Sequence, residues 1–523
     1  MLLLGLCALI APAQVVTTNP VIVQTDSKGI VITFHADQGN KGLAGLTAST
    51  PIYAHTGVIT NKSTSQSDWQ YAPTWGDNSA KYALTYVSAN TWTLTIPDIN
   101  SYYGVAAGET VEELAFVFRN ADGSREGKTA EGGDIFVKVY PSGFQVVLEK
   151  SIPSQVVTNS DPVTFTAYTT SAANITISLN DGTTIGSANN ATSATAQKSF
   201  SSMGDYTVTA RATTASGTSA TTSITVVRVN NSAAQNYPGG VPKMGAVTNA
   251  DGSVTFCICA PNKQSMILMP SWNNYHASSA TLMKYQDYNG YRYFWTTVSG
   301  LEKNKDYFYY YLADGERAVG DPYANLILDP YSDKYIDPKV FPNLPSYPVA
   351  DVPYSVPLAW YNSSANSYNW KITDFKGVDK DQLVIYELLI RDFTGTNGQA
   401  YGSGTVQGVI DKLDYIKSLG VNAVELLPIM EFNGNNSWGY NTNFYFAPDK
   451  AYGTPNDYRR LIDECHARGL AVILDIVFNQ SDGLHPWYQL YDIAENPFYN
   501  GSAPHAYSVL NDWKQENPVV QQQ

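Results

Sequence analysis

Between Val384 and Asn479 the chain repeats one pattern, an apolar run followed by an amphipathic stretch, and that repeat limits the folds open to it. The first run, Leu383 to Ile390, is mostly apolar. Thr405 to Leu419 follows, where Val406, Val409, Ile410, Leu413, Ile416 and Leu419 recur at helical spacing and Gly420 is placed to end the helix in a left-handed conformation. The second run, Val421 to Ile429, is continuous but for Asn422 and Glu425, as suits a strand covered on both faces. Thr454-Pro455 then supplies an N-cap and a first-turn proline, Tyr458, Leu461, Ile462 and Cys465 mark one helix face, and Gly469 is the stop. A third run, Leu470 to Phe478, is punctuated by Asp475.

Strand, helix, strand, helix, strand with short connections predicts a parallel sheet. Polar residues at the strand ends, Glu425, Asp475 and Asn479, suit a (β/α)8 TIM barrel, whose chemistry gathers at the C-terminal ends of its strands. A complete barrel takes about 250 residues, and the stretch from Asp381 to Gln523 falls well short of that. The expected fold is therefore multidomain, β-sandwich modules followed by an incomplete (β/α)8 TIM barrel.

Several motifs stand in order along this stretch: Gly420-Val421-Asn422-Ala423-Val424-Glu425-Leu426-Leu427-Pro428, Trp438-Gly439-Tyr440-Asn441, Tyr445-Phe446-Ala447-Pro448, Tyr452-Gly453-Thr454 and Leu474-Asp475-Ile476-Val477-Phe478-Asn479. Together they resemble the α-amylase superfamily of glycoside hydrolases. The resemblance implies that Tyr440, in its Trp438-Gly439-Tyr440 setting, stacks on the sugar at the cleavage subsite, where an aromatic face suits the C–H face of a pyranose. It implies that Asp475 orders the floor of the site, and that Asn479 ligates a structural calcium through its amide oxygen in those relatives that hold one. Where the family usually has a sugar-binding histidine, this chain has Gln480, which can donate a hydrogen bond but never become cationic. Retaining glycosidases need a nucleophile and an acid/base about 5 to 5.5 Å apart. In the family these stand at the ends of strands four and five, the first in a Gly-Phe-Arg-x-Asp-like motif, so both are expected beyond Gln523.

Composition points the same way. Charged residues make up 15% of the chain, against roughly 25% in average domains, so Ser, Thr, Asn and Tyr must supply the polar surface. A net charge of −14 and a pI near 4.8 exclude a nucleic-acid partner on electrostatic grounds. Met1 to Ile10 is apolar and Ala11-Pro12-Ala13 follows it, a signal peptide over 1–13 that lacks the usual basic start and is too short to span a membrane. A secreted, cell-surface or periplasmic protein is expected. Cys257 and Cys259 on a strand and Cys465 on a helix face read as small buried hydrophobes, without zinc spacing.

Upstream, residues 14–140 alternate as strands, for example at Trp92, Leu94 and Ile96, and form a candidate carbohydrate-binding module. Its Trp69 and Trp75 are either a sugar-stacking platform or sandwich core. Residues 141–230 alternate at Val163, Phe165 and Ala167, and Gly204-Asp205-Tyr206 resembles the tyrosine corner of Ig-like sandwiches. Few charges there argue for a spacer. Residues 231–350 resemble the early-set, starch-binding-like sandwich that precedes the barrel in branching and debranching enzymes, with Trp272 as a candidate glucan contact, and 351–523 begin the barrel. Two function classes stay open: an α-glucan hydrolase or glucosyl transferase, and a non-catalytic glucan-binding surface protein with a degenerate barrel.

Overall fold

The computed structural model describes residues 14–523 apart from 64–65, 131, 153, 349–351, 353–355, 365–366, 396–403 and 508. The apolar run over 1–13 and most of the glycine-rich loop before Thr405 thus lie outside the described residues. The chain divides into two compact units, Met1–Arg228 and Val229–Gln523.

The first unit begins with two antiparallel sheets. One runs in the order Val16–Asn19, Lys28–His35, Thr91–Asp98, Thr85–Ser88. In the other, Ile52–Thr60 pairs with Val111–Asn120, which also takes Ile135–Lys138. Two-residue alternation turns Ile32, Phe34, Trp92, Leu94 and Ile96 of one sheet toward Ile52, Ala54, Leu114, Phe116 and Phe118 of the other. Phe34 and Phe118 stack there at 4.1 Å.

Residues 146–228 build a six-stranded sheet around a separate core. Its longest strand, Val163–Leu179, pairs with Val146–Lys150 over its first half and with Gly204–Thr214 over its second. Val163, Phe165 and Ala167 face inward, as do Val208, Ala210 and Ala212. The Tyr206 hydroxyl donates to the Ser202 carbonyl at 2.9 Å, the bond that a tyrosine corner makes.

In the second unit a four-stranded sheet containing Val254–Cys259 and Tyr291–Val298 accompanies a five-stranded one built on Met266–Pro270, Tyr307–Ala313 and Leu358–Tyr361. Cys257, Cys259 and Cys465 are buried free thiols. The core of this sandwich does not stop at residue 350. Phe256, Tyr309 and Tyr311 share one cluster with Phe444, Trp487, Phe498, Tyr499 and Trp513. Trp487 Nε1 donates to the Cys259 carbonyl at 3.0 Å and the Tyr491 hydroxyl to the Pro261 carbonyl at 2.6 Å. The division expected at 350/351 is thus a change of sequence pattern inside one packed unit.

A buried ionic knot adds to that join. Lys450, fully buried, bridges Glu431 and, at 3.2 Å, Asp333. Burial pushes all three neighbouring carboxyls, Asp333, Glu431 and Asp449, upward, while their combined field keeps the lysine protonated.

The parallel sheet has three strands among the described residues, Ile385–Leu388, Ala423–Leu426 and Ala471–Leu474, in that order and in register at Leu388, Leu426 and Leu474. Each is shorter than its apolar run. The first chain turns into the short helix Ile390–Phe393, and the second meets Pro428, which has no N–H to give a ladder. The helix expected over Thr405–Leu419 is two pieces, Val406–Ile410 and Leu413–Ser418, joined at Asp411-Lys412. The next, Pro455–Ala467, starts on a capping box in which Thr454 and Asp457 bond each other's backbone. Gly420 and Gly469 close the two helical stretches at positive φ. Leu388, Val424 and Leu426 pack on Val409, Leu413, Ile416, Tyr458 and Leu461. No helix among the described residues is long and apolar enough to cross a membrane.

Candidate active site

The three parallel strands point their C-terminal ends at one loop. After Ala423–Leu426 the chain enters the hairpin Met430–Phe432 and Thr442–Pro448, and residues 433–441 form its tip. Gly439 at the tip has φ +92°, and a Cβ there would sit 2.3 Å from the Pro428 carbonyl oxygen, so only glycine lets the tip fold back so closely on the strand exit. Gly439 N–H donates to Ser437 Oγ at 3.0 Å and Thr442 Oγ1 donates to the Gly439 carbonyl at 3.3 Å. These bonds fix the next residue.

That residue is Tyr440, 36% exposed, whose hydroxyl donates to Asp475 Oδ2 at 2.6 Å. Asp475 is itself tied to the second strand, its N–H donating to the Leu426 carbonyl at 3.0 Å. Hydrogen bonding to Asp475, then partial burial, pushes the phenol up to about 12, and the nearby charges of Asp475, Glu387 and Glu425 add to the rise. The ring therefore stays a neutral donor across the biological range. Glu387 and Glu425 are cross-strand neighbours on the sheet.

Gln480 turns inward. It is buried, its Nε2 donates to the Tyr440 carbonyl at 3.1 Å, and its Oε1 accepts from Asn479 Nδ2 at 2.9 Å. Its amide is occupied in holding the tyrosine loop. One of the two amide N–H donors and one lone pair of Oε1 are thus engaged within the fold. Trp438, by contrast, is 63% exposed beside Tyr440.

Asn479 borders a cavity of about 360 Å³ that is also lined by Phe478, Asn500, His505, Asp512 and Trp513. Of the two carboxylates in the lining, Asp512 and Glu516, the first is held by His505 Nε2 at 2.9 Å and Asn500 Nδ2 at 2.7 Å. Calcium takes six to eight oxygens. Among the described residues no three His, Cys, Asp or Glu converge on a point that could hold a metal ion; any calcium at Asn479 would draw mostly on amide, carbonyl and water oxygens.

The structure thus gathers Trp438, Tyr440, Asp475, Asn479 and Gln480 at the strand ends. Trp272 is seated elsewhere, on the turn Ser271–Asn273 of the sandwich, edge-on to Tyr307 at 5.6 Å. Trp69 and Trp75 belong to the first unit.

The three strands and the helices beside them thus carry, at the strand ends, an aromatic ring braced on a carboxylate. Residues 387–508 match the alpha amylase catalytic domain, so this segment is similar to the α-amylase family of glycoside hydrolases. Malto-oligosyltrehalose trehalohydrolase of Saccharolobus solfataricus is 44% identical over 112 residues, which cover 21% of this chain and 19% of that protein. The chloroplastic isoamylase SU1 of Zea mays is 31% identical over 201 residues, 33% of this chain and 25% of that protein. The solved Group B Streptococcus pullulanase SAP is similar over 65% of this chain and 47% of that one, at 19% identity and a TM-score of 0.35. In the curated relatives the chain spans only about a fifth to a quarter of their length.

Proposed function

We propose that the rim at Tyr440 and Asp475 is the sugar-binding floor of a retaining α-glucan hydrolase or glucosyl transferase acting on starch-, glycogen- or pullulan-type chains. The observation that carries this reading is the 2.6 Å bond from the Tyr440 hydroxyl to Asp475 at the ends of the parallel strands. It holds a ring face upright and leaves the other carboxylate oxygen free to accept from a sugar hydroxyl. A ring that offers its face and a carboxylate that accepts hydroxyls together recognise one pyranose. In this reading the segment binds and orients the sugar, and bond cleavage falls to a nucleophile and an acid/base carboxyl from elsewhere in the protein.

Gln480 favours a second reading, a glucan-binding protein without catalysis, because the position that donates to sugar in relatives is committed inward here. Reducing-sugar release from soluble starch and pullulan separates the two. If the first holds, a protein that joins this segment to the nucleophile and acid/base releases sugar, and Asp475→Ala in it lowers kcat/KM by roughly 100-fold or more, the loss of a charge-assisted bond at the reacting sugar. Release that is insensitive to Asp475→Ala contradicts it. No release from a protein that carries both carboxyls, with maltotetraose still bound, selects the second reading.

A further inference from the structure

The outer face of the second N-terminal sheet carries a feature that its core does not explain. Cross-strand register sets Tyr53 beside Arg119, His55 beside Val117, and Gly57 beside Ala115, which in turn pairs with Phe136, all on the face turned away from the sandwich core. The crossover segment after Thr60 folds back along this sheet. Gln70 exchanges two backbone bonds with Val58, at 2.8 and 3.0 Å, and a Cβ on Gly57 would meet the Gln70 carbonyl at 2.9 Å, so glycine at 57 lets the segment seat. The result is a row of rings. Trp69 stacks on His55 at 5.7 Å and meets Phe136 edge-on at 6.2 Å, and Trp75 meets His55 edge-on at 4.8 Å.

Neither Trp69 nor Trp75 belongs to the sandwich core, whose tryptophan is Trp92. Trp75 is 47% exposed, yet it is held in place. Beneath it the buried guanidinium of Arg119 lies 5.8 Å from the Trp75 ring and 5.5 Å from Tyr53, and donates to Asn78 Oδ1 at 2.8 Å and the Asp77 carbonyl at 2.6 Å. Arg119 thereby clamps the loop that bears Trp75 to the sheet. A buried cation that organises an exposed ring holds a binding surface rigid, with little entropy left to lose when a ligand arrives.

We propose that the row Phe136, Trp69, His55 and Trp75 is a second glucan site, a platform for an α-1,4-linked chain remote in sequence from the barrel. The four rings carry no fixed charge of their own: burial, then the Arg119 charge, lowers the His55 pKa, and the two terminal nitrogens of Arg119 donate to protein oxygens, while Glu113 and Lys138 pair across the strands at the edge of the row. A neutral polyol with C–H faces fits such a surface, and a polyanion is also repelled by the net charge of −14. Trp69 lies 22° from the His55 plane and Trp75 lies 65° from it, so the two tryptophans are far from coplanar. A bent platform matches the curved α-1,4 chain, whereas a flat β-1,4 chain asks for coplanar rings. The choice of α-glucan rests on the family reading of the barrel, but the platform itself does not.

Affinity electrophoresis of the whole chain in amylose gels and in hydroxyethylcellulose gels tests the proposal. Retardation is expected in amylose only, Trp75→Ala should weaken it by about tenfold or more, and Tyr440→Ala should leave most of it. Thermal melting of Trp75→Ala, a half-exposed ring, checks that the variant is folded, and Trp75→Phe should restore part of the retardation. Retardation lost with Tyr440→Ala but unchanged by Trp75→Ala overturns the platform and leaves the barrel reading intact. Retardation only in hydroxyethylcellulose, or in neither gel, overturns the platform as an α-glucan site.

Discussion

At the scale of single residues, the chain shows how strongly surroundings decide what a motif does. Tyr440 and Asp475 were legible because their types and spacing carry a recognisable chemistry, and the structure brings them to 2.6 Å. The orientation of Gln480 was not legible, since nothing in a sequence tells whether an amide points at a sugar or at the carbonyl forty residues upstream. His485 was missed as well. It is fully buried among Tyr445, Trp487, Tyr499 and Trp513, accepts from the Trp487 N–H at 3.2 Å, and burial lowers its pKa from 6.5 to about 3. The unfolded chain then takes up the proton first. Stability from the neutral imidazole is full above pH 6.5 and is lost as pH falls toward 3. Urea unfolding at pH 7 and pH 4 should show the wild type losing roughly 3 kcal/mol more than His485→Gln over that interval. Equal losses would mean that the ring is hydrated or charged in the folded state.

At the scale of elements, capping and stop residues were read correctly while strand lengths were not. Thr454, Pro455 and Gly469 bracket the helix Pro455–Ala467 as expected, because caps are local chemistry. Apolar runs of eight or nine residues became strands of four, because an apolar run reports burial and not ladder pairing. The single helix expected over Thr405–Leu419 divides where Asp411 and Lys412 leave the apolar face, although its buried residues keep one face throughout. The loop 433–441 is the element on which the site depends. Gly439→Ala should destabilise by roughly 1–3 kcal/mol, from positive φ and the close Pro428 carbonyl. Gly434→Ala, at φ +81° with nothing within 4 Å of its Cβ, supplies the control and should cost only about 1 kcal/mol. Thermal melts that rank the two variants equally would show that the close approach at Gly439 is not a constraint.

At the scale of the molecule, the two sandwich cores of the first unit were visible as alternation, and the second unit was visible only in halves. Trp487, Phe498 and Trp513 lie more than 200 residues from Cys259, yet they share its core, and separations of that size leave no periodic trace in sequence. The two proposed glucan-binding surfaces, a braced ring at the parallel strand ends and a row of rings on the second N-terminal sheet, must be separable. Isothermal titration of maltotetraose into the double variant Trp69→Ala and Trp75→Ala, with and without Asp475→Ala, isolates the rim. The account predicts residual binding in the double variant and its loss, by about tenfold or more in affinity, when Asp475→Ala is added; residual binding that Asp475→Ala leaves unchanged would contradict it.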